Sequence, residues 1–315
     1  MLETYSDFVS KKKFFASNEI IDSVKDWDDF VQSLPKGKNY VYRGVNNSSY
    51  KMYSSFQRKW DSKQVDSYNK INRNFNDHWE FAQYLIDVVK NHPDLPCFLS
   101  GDGIDINSMA LLQHFGYPSM LIDFSYDLKI ALFFMTENME AEYCSLYYIN
   151  DEENPYKNCS LEDVNATGLK KLAELCSLDD LHIVNYEKVL KEFENLPLSN
   201  YKNIDYILVK GGVNNPTVSK SNDLGVQFTY NFTNPRMGQQ RGLFFLNTTP
   251  DKPLESLILD HNYNFIHCVN VKKDVVLHIK QNYISEVTRE NLYYPNKGAQ
   301  SIEKIFEDLK KQNKI

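Results

Sequence analysis

The sequence predicts an α+β fold in which helices precede and flank a mixed, largely antiparallel sheet, and three observations carry that prediction. Apolar residues recur at helical spacing through much of the chain up to Thr136. Between Ile207 and Ile279 the period shortens to two. The glycine signatures of parallel nucleotide-binding sheets, GxGxxG and GxxxxGK[ST], are absent, as is the GxSxG of the α/β-hydrolases.

The elements follow in order. Val24, Trp27, Phe30, Val31 and Leu34 share one face of a helix over Asp22–Leu34, which Pro35-Lys36-Gly37 stops. Tyr40–Gly44 is aromatic and β-branched with a glycine at its end, a short strand that delivers an arginine to a turn. Ile71, Phe75, Trp79, Ala82, Leu85, Ile86 and Val89 trace one face of a long helix over Val65–Val89. Two further helices, Asp105–Phe115 and Tyr126–Thr136, are joined by an irregular piece, with Ser125 placed to cap the second. That second helix has almost no polar face and must be covered on nearly all sides. Ser145–Ile149 reads as a strand. Ile207–Val209, Val226–Tyr230, Leu243–Leu246, Ile266–Val271 and Val275–Ile279 read likewise, and a closing helix carries Ile302, Ile305, Phe306 and Leu309. The layout is therefore an N-terminal extension at 1–21, one domain at 22–309 with a charged, loop-rich insertion at about 151–203, and a tail at 310–315.

Composition narrows the function. The 315 residues carry 35 Lys and Arg against 42 Asp and Glu, a formal charge of −7, so strong general nucleic-acid binding and polybasic membrane attachment are not expected. No apolar run approaches the roughly 20 residues of a membrane span, and Met1–Lys13 lacks a secretory signal, which together predict a cytoplasmic protein. The five cysteines form no CxxC pair and the seven histidines no HExxH pair, so no metal is expected.

Polar residues inside apolar surroundings mark the candidate site. Tyr42-Arg43-Gly44 puts an arginine's planar donor fork beside a glycine that lets a ligand approach the backbone; the alternative is a structural arginine paired with a core carboxylate. Gln113 and His114 end one helix, and Asp123 and Ser125 stand where the next begins, near unpaired N–H groups suited to an anion or a ribose. Equally, Ser125 can simply cap, Asp123 pair with Arg43, and His114 be a satisfied core histidine. Arg236, Gln239, Gln240 and Arg241 directly precede an apolar strand, where amides can bond a base edge and arginines a phosphate, or all four can belong to a polar hairpin turn. Leu292–Gly298 reads mainly as packing.

In this order the segments resemble the FRG domain family, named for an aromatic-Arg-Gly motif that Tyr42-Arg43-Gly44 matches. Leu112–Ser125, followed by Ala131-Leu132-Phe133-Phe134, is similar to the family's central signature. Pro235–Phe244 resembles its later Gln-Gln-Gly-x-Phe segment, interrupted here by Arg241, and Leu292–Ile305 its closing segment. Met120 stands where the family commonly has an arginine, and Asn296 where it has an acid. The resemblance implies a bacterial cytosolic domain serving phage defence or stress response.

The order of an early arginine, a polar junction and a late polar-to-strand segment is also similar to the three-part site of ADP-ribosyltransferases. In that reading NAD is the substrate, and His114, Asp123 and Gln239 are the candidate catalytic residues. Tyr42, Arg43, Gly44, Gln113, Ser125, Arg236, Gln240 and Arg241 then bind the ligand. Gln239 or Gln240 takes a place where that superfamily often has a glutamate, and a glutamine cannot serve as a base. Two alternatives stand beside it. One is a non-catalytic sensor of a nucleotide-like small molecule, or of a phage or regulatory protein. The other is a nuclease with Arg43, Arg236 and Arg241 on phosphates and His114 with Asp123 moving protons.

Overall fold

The computed structural model describes residues 2–34, 40–59, 110, 113–114, 119, 121–150, 156–158, 206–211, 218–221, 225–230, 239–247, 252–260, 264–293, 304, 307–308 and 311. Ten strands make one sheet: β1 (Ser17–Ile21), β2 (Tyr40–Val45), β3 (Leu121–Ser125), β4 (Tyr143–Asn150), β5 (Tyr156–Asn158), β6 (Tyr206–Gly211), β7 (Val218–Ser221), β8 (Gly225–Tyr230), β9 (Gly242–Asn247) and β10 (His267–Lys272). Their order is β1-β10-β4-β2-β3-β9-β6-β8-β7-β5. Neighbours are antiparallel except β1 with β10 and β6 with β8, which bears out a mixed, mainly antiparallel α+β sheet.

The described helices are α1 (Phe8–Lys12), α2 (Val24–Ser33), α3 (Ser55–Lys59), α4 (Leu128–Thr136), α5 (Leu254–Asp260), α6 (Lys273–Asn282) and α7 (Arg289–Tyr293). The two-residue period of the strands divides the apolar side chains between two cores. Val41, Ile122, Phe124, Tyr147, Ile149 and Phe245 face a core closed by α5 and by Tyr5 and Phe15 from the N-terminal segment. Tyr40, Tyr42, Leu146, Tyr148, Val269 and Val271 face the other, where α2, α4 and α6 supply Trp27, Leu132, Met135, Val275 and Ile279. The first 21 residues thus give the sheet a strand and its core two aromatic rings.

Three local readings are corrected. Leu121–Ser125 is a strand rather than an irregular link, so Asp123 and Ser125 lie on β3 and not at a helix start. Asp127, not Ser125, caps α4: its Oδ1 accepts the Lys129 amide at 2.9 Å. Val275–Ile279 is helical, within α6. The β-branched run resembles a strand, but Val275, Val276 and Ile279 are buried together while Leu277 is exposed, which fits a helical face and not alternation. The expected helix at Val65–Val89 and most of the 151–203 segment lie outside the described residues. Ala110, Gln113 and His114 are helical where a helix was expected, as are Lys304, Glu307, Asp308 and Lys311 near the end.

Candidate functional site

A parting of two strands shapes the site. β2 and β3 are antiparallel neighbours, yet they pair only at Tyr42 with Ser125. Beyond that point β2 continues along β4 and β3 along β9, and the sheet opens between them. The Asp123 carbonyl, on the side where β2 would have continued the ladder, instead accepts a hydrogen bond from Arg43 Nη1 at 2.6 Å. A cleft of about 540 Å³ occupies the opening.

Gly44 permits this arrangement by admitting a helix. A β-carbon there would lie 1.8 Å from the Ala131 carbonyl oxygen and 2.6 Å from the Met135 nitrogen, so α4 can cross β2 at this distance only over a glycine. The glycine of the aromatic-Arg-Gly segment therefore serves packing first, and it places the helix that walls the cleft with Ile130, Ala131 and Phe134.

Tyr42, Arg43, Gly44, Gln113, His114, Asp123, Ser125 and Gln240 all line this cleft. Gln239 is exposed and is not among its lining residues; neither is Arg241, whose guanidinium stands 3.8 Å from Asp127 and whose backbone is left-handed at φ 44°. Arg236 lies outside the described residues. Among its described residues the late segment contributes Gln240, whose Nε2 donates to the Leu292 carbonyl at 3.4 Å. Ser125 is held by the fold: its hydroxyl donates to the Gln240 carbonyl at 2.8 Å and accepts the Asp127 amide at 3.0 Å, joining the late segment to the start of α4.

The polar centre is Arg43, Asp123 and Gln113. Gln113 Nε2 donates to Asp123 Oδ1 at 2.5 Å, and Arg43 Nη1 stands 4.0 Å from Asp123 Oδ2, a loose ion pair beside the short bond to the carbonyl. Arg43 Nε and Gln113 Oε1 are buried and have no hydrogen-bond partner among the described residues. Desolvation raises the Asp123 carboxyl above the ordinary range, against the pull of Arg43 and Arg58. About half of that side chain, 54%, is open to water through the mouth of the cleft, so solvent moderates the effect. Burial lowers the Arg43 guanidinium, and pushes the Tyr42 phenol up to about 12.

Sequence reasoning missed Arg58, Tyr50, Tyr293 and Glu137, which also line the cleft. Arg58 follows Met52, Tyr53, Ser54, Phe56 and Gln57, all buried. An arginine carried by an otherwise buried segment is the same signal that singled out Arg43. Tyr293 belongs to a stretch read as packing, and its ring lies 5.1 Å beneath the Arg289 guanidinium. Arg289 also approaches Glu137 at 3.7 Å. Among the described residues the cleft offers two guanidinium groups around the Asp123 carboxylate, with a second carboxylate, Glu137, beside Arg289, and Tyr42, Tyr50, Phe134 and Tyr293 as apolar walls. That combination suits an anion attached to a flat ring.

Among the described residues no group of three or more His, Cys, Asp or Glu could hold a metal ion, and no helix is long and apolar enough to cross a membrane. No curated protein and no solved structure matches the chain. Residues 38–144 match the model of the FRG domain. The match contains Tyr42-Arg43-Gly44, Gln113, His114, Asp123 and α4, which are the core of the cleft, and stops short of the later glutamine segment. The chain is therefore an FRG domain-containing protein.

Proposed function

We propose that this cleft binds a nucleotide-like anion, with NAD as the candidate ligand and substrate. Arg43 is the observation that carries the reading. Its guanidinium is largely buried and gives one N–H to the Asp123 carbonyl, while its Nε, itself buried, has no partner among the described residues. A buried donor left without an acceptor costs about 1–3 kcal/mol, and a bound phosphate or carboxylate would remove that cost. The aromatic walls supply a surface for the attached ring.

Turnover would be hydrolysis of the nicotinamide–ribose bond. The C1′–N bond breaks, a water oxygen bonds to C1′, nicotinamide leaves and one proton is released. Asp123, raised above the ordinary carboxyl range, is the group suited to take the water's proton, and His114 lies in the same cleft. Gln239 stands outside the cleft, so transfer chemistry through that position is not supported. A receptor without turnover is favoured by a different observation: Asp123 Oδ1 already accepts the Gln113 amide at 2.5 Å. Either activity could report a nucleotide signal in phage defence or stress response.

NAD binding by calorimetry and nicotinamide release, each measured on the native protein and on folded Arg43→Gln and Asp123→Asn variants, test the proposal. Binding should fall at least tenfold in Arg43→Gln and persist in Asp123→Asn. Release that disappears in Asp123→Asn would make the protein an enzyme, and binding without release a receptor. No binding of NAD by the native protein would overturn NAD as the ligand.

A further inference from the structure

We infer that Arg58 is the second half of an anion clamp, and that the ligand carries two linked phosphates, one at Arg43 in the main cleft and one at Arg58 in an adjoining cavity. This rests on the reading of the cleft as an anion site. The adjoining cavity measures about 220 Å³ and shares Arg43, Arg58, Gln113 and Asp123 with the main cleft, so those four side chains form the wall between the two spaces. Among the described residues Tyr53, Ser55, Leu121 and Ile122 also line it. Ser55 is engaged, accepting the Ser119 amide at 2.9 Å and donating to the Ser119 carbonyl at 3.2 Å, and among the described residues Arg58 and Arg43 are the cavity's cations.

Arg58 is anchored but not used up. Its Nη1 donates to the Tyr53 carbonyl at 2.8 Å, one of the five N–H groups a guanidinium carries. Arg58 is exposed to water along part of its length, and its charge is opposed by the burial of the rest and then by the neighbouring charge of Arg43, while Asp123 favours it. Both guanidinium groups act on the Asp123 carboxylate, whose Oδ2 stands 4.0 Å from Arg43 Nη1. A single phosphate could relieve one of them. Two phosphates joined by a bridging oxygen would relieve both, and would do so without protonating or displacing Asp123. A dinucleotide, a nucleoside diphosphate and free pyrophosphate share this chemistry.

The test is a calorimetric titration at one fixed salt concentration with pyrophosphate, phosphate, ADP and AMP, on the native protein and on Arg58→Gln and Arg58→Lys. Pyrophosphate should bind at least tenfold tighter than phosphate, and ADP at least tenfold tighter than AMP. Arg58→Gln should abolish both margins, and Arg58→Lys, which keeps the charge and loses the fork, should retain part of them. Equal affinities within each pair, or margins that survive Arg58→Gln, would overturn the clamp while AMP binding still upheld a nucleotide site. A pyrophosphate margin without AMP or ADP binding would uphold the clamp and overturn the nucleotide reading. No binding of any probe would overturn both.

Discussion

Two clusters of buried polar residues sit in this domain, and they differ in whether their hydrogen bonds are complete. In the first, the ammonium of Lys11 is fully buried and donates to the Ser48 carbonyl at 2.9 Å, to Ser145 Oγ at 2.8 Å and to Asn270 Oδ1 at 2.7 Å, with the Tyr147 ring 5.0 Å away. All three donors of the ammonium are engaged. Nearby, the buried Glu255 carboxylate accepts the Tyr5 hydroxyl and the Met52 amide. Burial lowers the Lys11 amine and raises the Glu255 carboxyl, and these bonds offset the cost of leaving water. In the second cluster, at the parting of β2 and β3, Arg43 Nε and Gln113 Oε1 lack partners among the described residues. The first arrangement ties the N-terminal segment to the sheet. The second has hydrogen-bonding capacity left over among the described residues.

The contrast predicts opposite responses to mutation. Replacing Lys11 by Met leaves three acceptors without their donor at a buried site, and unfolding free energy should drop by at least about 3 kcal/mol in urea titrations. A change within about 1 kcal/mol would erase the distinction between the clusters. Gly44→Ala should come next. The added methyl group meets the backbone of α4, and overpacking of this kind costs about 1–3 kcal/mol or more. Because the helix also walls the cleft, the variant should lose ligand affinity with stability, whereas Lys11→Met should lose stability alone. The smallest effect concerns pH. Asp123 holds its proton above the ordinary carboxyl range, and the protonated form no longer competes for the arginines. Affinity for an anion should therefore rise as pH falls through the Asp123 titration, by a few-fold, and the rise should be absent in Asp123→Asn. Titrations of both proteins between pH 4 and pH 8 would reveal it, and a parallel rise in the variant would assign the effect elsewhere.

Much of the cleft was legible because the residues that build it break local patterns. Arg43 interrupts an aromatic strand, and Gln113, His114 and Asp123 interrupt apolar runs, so each stands out without knowledge of its neighbours. Gly44 stands out too, but its reason is the 1.8 Å approach of Ala131, a tertiary contact that no local pattern contains. Asp123 was placed at a helix start because Leu121–Ser125 is only five residues long and runs directly into α4, which hides a strand boundary. Val275–Ile279 misled for the related reason that β-branched residues favour strands locally while the core selected the face of a helix. The Lys11 cluster gave no signal, since a lysine near the start of a chain is normally solvated, and only the pairing of β1 with β10 brings Lys11 to Asn270. Arg241 and Gln239 looked equivalent to Gln240 in sequence. Among the described residues before β9, Gln240 lines the cleft and Gln239 and Arg241 do not.

The central claim is that the incomplete cluster is a ligand site, and the NAD-induced shift in unfolding free energy measures it most directly. A ligand bound only to the folded protein stabilises it by about 2.7 kcal/mol at one hundred times its dissociation constant. The native protein should gain stability as NAD is added, and folded Arg43→Gln should gain little or none over the same range. An equal gain in both proteins, or none in the native protein, would contradict the account.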